Sequence, residues 1–353
     1  GTLSIREKDQ WLDFPYESLK ISSILNPKRI DSQLDFRGGK LGTLSVTVQI
    51  DPLAKNKPLS GAFNLSGVDI SIARPFVPMV EKLTGRLNGS GRLSGGLLAP
   101  QVNGSVTLSD GEVTGPELPV SLHDLTVQAL IAGESLRLDG GWNSGESGKG
   151  TLNGQISWGE ALAVDLNLKG AHLPLTVEPY ALLEVAPNLN ITMKGGKLAI
   201  SGKVLIPKGA ITIRELPPST VKLSGDTVIV GHQTEQGAPP LVMAMDIDVE
   251  VGQETLSFSG FGLTANLAGH VHIGDNLDAR GELTLNDGRY RAYGQRLTIR
   301  RARLLFAGPI DQPYLDIEAI RKTDDVVAGI RLTGSAEQPT TVVFSEPAMS
   351  QEQ

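Results

Sequence analysis

The sequence predicts an all-β fold, an elongated antiparallel sheet curled lengthwise into an open hydrophobic groove and carrying short helical inserts. Three observations predict it. Apolar and polar residues alternate along most of the chain, and the 353 residues include 41 glycines while aromatic residues make up only 5%. One glycine-bracketed strand pattern also recurs. Many short strands with tight turns account for such a composition.

The repeating unit is clearest between Gly260 and Tyr293. Leu267, Gly269, Val271 and Ile273 alternate with Ala268, His270 and His272; after a Gly-Asp-Asn turn, Leu283 and Leu285 alternate with Glu282, Thr284 and Asn286. Successive strand side chains point to opposite faces, so this pair has one greasy face and one wet face. The segment Gly281-Glu-Leu-Thr-Leu-Asn-Asp-Gly288 matches Gly104-Ser-Val-Thr-Leu-Ser-Asp-Gly111 and, more loosely, Gly202-Lys-Val-Leu-Ile-Pro-Lys-Gly209. Each copy reads as a short alternating strand followed by a tight turn. Self-similarity of this kind predicts a stacked, quasi-linear array.

Earlier strands are read at Leu44–Ile50, after a Gly-Gly turn, and at Ala62–Ile72. Ala73–Leu83, with Pro75 and Pro78, reads as a short helical insert, and Val177–Val185 as a second one ended by Pro187. Between them strands are expected at 105–108, 122–131, 135–138, 150–158 and 162–168, and after them at 189–193, 197–206 and 210–213. Glu215–Ser219 breaks the ladder, and Gln233–Pro240 reads as a flexible tip. Strands resume from Leu241 to Phe344. With long helices absent from the pattern, the greasy face must be covered by a second sheet, by closure into a barrel, or by the sheet's own curl into a trough.

Composition narrows the function. A net charge of −7 argues against a nucleic-acid partner, and the absence of cysteine removes disulfides, thiolate catalysis and Cys-ligated metals. No apolar run of about 18 residues is present to span a bilayer as a helix. The opening Gly1-Thr2-Leu3-Ser4 and the end at Met349–Gln353 read as cut edges, so any anchor or export signal is expected outside this stretch. No nucleophile elbow or phosphate-binding loop occurs. Gly260-Phe-Gly262-Leu-Thr-Ala265 fits the dinucleotide fingerprint only formally, because no helix follows to present its N-terminus. The chain is expected not to be an enzyme and to need no cofactor.

Three polar groupings stand out. His270 and His272 share a strand face and would suit a metal given a third ligand, or simply a solvated face. Asp246, Asp248 and Glu250 form an acidic row opposite Met245, Ile247, Val249 and Val251 that lacks the loop geometry of a calcium site. Arg289, Arg291, Arg296, Arg300, Arg301 and Arg303 cluster within fifteen residues. They suit phosphate head groups or an acidic protein surface, or they decorate the outer face and discourage edge pairing. The greasy lining of the trough is assigned to Leu267, Val271, Ile273, Leu283, Leu285, Tyr290, Leu297, Ile299, Leu304, Phe306, Val204, Ile206, Val106 and Leu108.

GRYRAYGQRLTIRRARLLFAGPIDQPYLDIEAIR, from Gly288 to Arg321, closely resembles the C-terminal domain of the TamB family of translocation and assembly module subunits of Gram-negative bacteria. The similarity extends over SGFGLTANLAGHVHIGDNLDARGEL before it and GSAEQPTTVVFSEPAMSQEQ after it. Arg74 to Val113 is similar to the repeating units of the same family and of the wider AsmA-like group. The resemblance implies repeating β-groove units over 1–190 and a C-terminal groove of the same β-taco class over 191–353, truncated at its end. It implies a periplasmic bridge, anchored in the inner membrane by a segment absent here, pairing with a TamA-type outer-membrane barrel of the Omp85 type. It implies phospholipid passage between the membranes, or outer-membrane protein assembly through strand addition. No catalytic residues carry over.

Overall fold

The computed structural model describes residues 1–7, 10–77, 79–116, 118–159, 161–177, 180–213, 242–260, 262–292, 295–323, 325–336 and 338–348. Glu215–Ser219 and Gln233–Pro240 lie outside the described residues. The chain divides into two units, Gly1–Pro174 with Asn190–Gly195, and Leu175–Leu189 with Gly196–Gln353.

In the first unit a two-stranded ribbon, β1 (Thr2–Glu7) and β2 (Gln10–Pro15), precedes a meander. Its strands are β3 (Ser18–Asn26), β4 (Arg29–Arg37), β5 (Thr43–Ile50), β6 (Leu59–Asp69), β7 (Lys82–Gly96), β8 (Ala99–Thr114), β9 (Leu122–Gly133), β10 (Ser135–Ser144), β11 (Gly148–Ser157) and β12 (Ala163–Ala171). Each pairs antiparallel with the next. The first expected helical insert is a 3₁₀ segment, Ile70–Phe76, that begins early because the Asp69 carboxylate accepts the Ser71 N–H at 2.9 Å. It is brief, as 3₁₀ segments are, and the chain is a strand again at Lys82.

The second expected insert is not helical. β13 (Leu173–Val177) and β14 (Ala181–Lys194) occupy its described residues. A short apolar run does not by itself separate helix from strand, and here pairing with the next strand decides.

The second unit holds β15 (Lys197–Ile213), β16 (Val242–Gly260), β17 (Leu263–Ile273), β18 (Asp278–Ala292), β19 (Gln295–Pro309), β20 (Tyr314–Lys322), β21 (Val327–Ser335) and β22 (Thr340–Glu346). From β16 onward every neighbour is antiparallel. The β15–β16 pair departs from the expected pattern and is parallel, Lys197 standing beside Val242 and Ile206 beside Val251. A parallel pair needs a long connection, and the residues between the two strands supply the length. Val251, Leu256, Leu263, Ala265, Leu267, Leu285 and Ala302 form the buried core. Phe258 of β16, Ile317 of β20, Leu332 of β21 and Thr341 of β22 line one cavity of about 150 Å³, so this sheet curls until distant strands face each other.

The recurring Gly-to-Gly pattern is not a strand followed by a tight turn. In all three copies one strand runs straight through in place of the expected turn: β8 carries one extra residue against β9 between Leu108 and Gly111, β18 one extra against β17 between Asn286 and Arg289, and β15 shifts register with β16 between Ile206 and Gly209, the extra residues lying on β16. Asp110 (φ 51°) and Asp287 (φ 54°) take the left-handed conformation that short polar residues tolerate. Residues seven apart face opposite ways in a regular strand; one inserted residue restores them to the same face. Leu108 and Gly111 therefore share a face, as do Leu285 and Gly288. Gly281 has φ +142°, and a Cβ there would lie 2.2 Å from the His270 carbonyl oxygen.

The outer face of β19–β21 is held by charge. Asp316 is 8% exposed and Glu318 only 2%, although both alternate with the inward Leu315, Ile317 and Ala319. Arginines cover them. Arg303 Nη2 and Arg301 Nη2 donate to Asp316 at 2.7 and 3.0 Å, and Arg300 Nε and Arg331 Nη2 donate to Glu318 at 2.6 and 2.7 Å. Arg331 also lies over the Phe344 ring, 5.3 Å from its centroid. Opposite charges in facing positions are the sheet's counterpart of helical ion pairs. The hydrogen bonds from Arg303, and next from Arg301, hold the Asp316 carboxyl below its usual range against the contrary effect of desolvation.

Two outcomes follow. Gly281→Val should cost about 1–3 kcal/mol, read as a lower urea midpoint by far-UV circular dichroism; an unchanged midpoint would refute the close approach of β17 and β18. Because the folded state lowers the Asp316 value, its contribution is complete above the unfolded value of about 3.9 and is lost as pH falls through the folded one. The melting temperature of the wild type should thus drop more steeply below about pH 4 than that of Asp316→Asn. Parallel curves would mean that the arginine pairs do not form in solution.

Candidate functional site

The inward register brings the predicted lining residues of the second unit onto one face. Val204, Val249, Val271, Gly281 and Phe306 follow one another across β15 to β19, and Ile206, Val251, Gly269, Leu283 and Leu304 form the adjacent row. Leu267 stands opposite Leu285, Tyr290 opposite Leu297, Ile273 opposite Ala279, and Ile299 opposite Ala319. Leu267, Val271, Leu285 and Leu297 are buried; Leu267 and Leu285 belong to the core cluster, and Leu285 shares a cavity with Ile317 of β20 and Leu332 of β21. Ile273, Leu283, Tyr290, Ile299, Leu304, Phe306, Val204 and Ile206 are half-buried.

The first unit carries the same face in a different state. Phe36, Leu44, Leu65, Gly89, Val106, Ala129, Leu138, Gly154 and Leu166 form one unbroken cross-strand row from β4 to β12. At the usual strand spacing that row is roughly 40 Å long. Every residue in it is half-buried, as is Leu108 beside Val106. Among the described residues the buried apolar side chains of this unit are Leu41, Val80 and Leu173, none of them on the row. A row of apolar residues and glycines is thus shielded only in part.

The arginine cluster separates into two groups. Arg300, Arg301 and Arg303 are engaged by Asp316 and Glu318, with Glu282 and Glu346 farther off at 3.8 and 3.6 Å. Arg289, Arg291 and Arg296 are exposed and have no ion pair among the described residues. They line a cavity of about 1100 Å³ at the ends of β15–β19. Sequence reasoning did not find the carboxylates that divide the cluster. The signal was present in Asp316 and Glu318, an acidic i, i+2 pair on the strand after the arginine run.

The histidine pair closes on the acidic row. His272 Nδ1 and His270 Nε2 lie 3.1 and 3.2 Å from one Asp248 oxygen, and His272 Nε2 lies 3.7 Å from Asp246. Contact with His272, then His270, holds the Asp248 carboxyl below its usual range. Among the described residues no group of three such side chains is placed to hold a metal ion. Around the formal dinucleotide fingerprint Gly260 ends β16 and Leu263 begins β17, a strand where the chemistry would require a helix.

Comparison with known proteins agrees with the architecture. Residues 140–353 match the TamB C-terminal domain and residues 1–108 the TamB N-terminal domain. The chain is 27% identical over 334 residues to the translocation and assembly module subunit TamB of Haemophilus influenzae, an alignment covering 88% of this chain and 26% of that protein. The chain thus spans about a quarter of that relative's length. A domain match over more than half of the residues, on a sheet of this construction, shows that the chain belongs to the TamB family.

Proposed function

We propose that this chain is part of a periplasmic bridge that shields phospholipid acyl chains in a hydrophobic groove as they pass between the inner and outer membranes. The observation that supports it is the half-buried row from Phe36 to Leu166, made of apolar residues and glycines along its length. Each methylene moved from water onto such a surface gains about 0.8 kcal/mol. A chain of about sixteen carbons gains roughly 12 kcal/mol before costs. A uniform aliphatic strip has no single deep minimum, so a captured tail slides. In this reading the whole protein is anchored in the inner membrane by a segment outside this chain and acts as a conduit, not a catalyst. Val106 and Leu108 line the open part of the path. In the second unit Leu283, Leu304 and Phe306 offer an apolar surface of the same kind.

A second reading has one observation in its favour, the relative's name, which speaks of translocation and assembly. Here the sheet takes up strands of outer-membrane proteins, or of a TamA-type barrel, by edge pairing.

Native mass spectrometry of the chain purified from a Gram-negative host should show phospholipid adducts. Val106→Asp, in mid-row, should remove most of them while the far-UV spectrum stays that of a sheet. A wild-type chain free of lipid, or a folded Val106→Asp variant with undiminished lipid, would sink the conduit. Val342→Pro in β22 should leave lipid adducts intact. If it also abolishes co-purification with a TamA-type barrel, strand addition is a separate activity of this chain.

A further inference from the structure

Arg289, Arg291 and Arg296 differ from the other arginines of the cluster in what surrounds them. Arg291 and Arg296 are direct cross-strand partners. Like charges in facing positions destabilise a sheet unless an anion joins them. A few residues along the same strand Arg300, Arg301 and Arg303 each have a carboxylate within 3.0 Å, yet among the described residues no carboxylate lines the cavity of about 1100 Å³ around the first three. Hydroxyls do line it. Thr212, Ser259, Thr264 and Thr298 lie in one cross-strand row with Arg289 between the last two. Among the described residues the site therefore offers cationic forks and hydroxyl donors with no carboxylate to saturate them.

The cavity also takes in both faces of the sheet. The arginines and hydroxyls belong to the outward register, whereas Leu263, Tyr290 and Leu297 belong to the inward one, so it lies across the strand ends. Gly260, Leu263 and Tyr290 line the smaller apolar cavity as well, whose other walls include Phe258, Leu285 and Leu304. A polar end and an apolar end thus meet at shared residues.

We propose that Arg289, Arg291 and Arg296 form a receptor for the phosphoryl group of an anionic amphiphile, whose tail passes Leu263 and Tyr290 onto the inward face. The bidentate guanidinium suits a phosphate oxygen pair, and the anion relieves the Arg291–Arg296 repulsion. The proposal rests on the groove reading, because it gives that groove a place where head groups are held.

Calorimetric titration of the whole chain with dodecyl phosphate, dodecyl maltoside and inorganic phosphate, each amphiphile below its micelle concentration, tests it. Dodecyl phosphate should bind on the order of tenfold more tightly than dodecyl maltoside. The Arg289→Gln/Arg291→Gln/Arg296→Gln variant should erase that preference while keeping dodecyl maltoside binding, and the corresponding triple Lys variant should restore part of it. Since these arginines carry no ion pair, the fold should survive. Thr298→Glu, which sets a carboxylate opposite Arg289, provides a second variant expected to lose the preference. Retention of dodecyl phosphate affinity within about twofold in both the Gln and Glu variants would overturn the receptor. Inorganic phosphate binding as tightly as dodecyl phosphate would overturn the amphiphile assignment in favour of a bare anion site. Failure of dodecyl maltoside to bind the wild type, with dodecyl phosphate still bound, would count against the groove and leave the receptor standing.

Discussion

The aliphatic face of the sheet must find cover, and among the described residues no layer of helices provides it. A strand built from alternating apolar and polar residues puts half its side chains on a surface that water disfavours by about 25 cal/mol per Å². In most proteins a second layer settles the matter. Here the two units meet the constraint differently. Around Leu256, Leu267, Leu285 and Ala302 the curled sheet packs its own side chains together and leaves a cavity of about 150 Å³. From β4 to β12 the same kind of row is only half-covered. The first unit thus leaves its apolar row half-covered where the second buries part of its own.

The outer face solves the complementary problem. Glu318 is almost fully buried on a surface that faces water, which would be costly for an isolated carboxylate. Arg300 and Arg331 both donate to it, so the charge is hidden beneath guanidinium groups and not in apolar packing. The same strands thus separate two media. Their inward side chains avoid water, and their outward ones hold a polar lattice that fixes β19, β20 and β21 to one another. Charges placed outside leave the inward face uniformly apolar.

Much of this was legible from period-two patterning alone. Leu267, Val271 and Ile273 were assigned to one face, and Leu283 and Leu285 to the matching face of the next strand, because alternation is a local property. Three features were not legible, each for a physical reason. The run from Val177 to Val185 is short and apolar, and only its neighbours decide between strand and helix. The direction of β16 beside β15 depends on the path of a connection and not on either strand's own residues. The division of the arginines depends on β20, whose Asp316 and Glu318 stand across from them only once the register is known. In the candidate site the apolar members could be named from the sequence, whereas the partners that neutralise half of its charge came from pairing.

The bulges at Asp110 and Asp287 bear on how such a protein grows. A strand copied together with its extra residue keeps the oily sides of its two halves aligned. A copy lacking that residue would turn half a strand inside out. Length is then free to vary in whole modules without redesign of the wall.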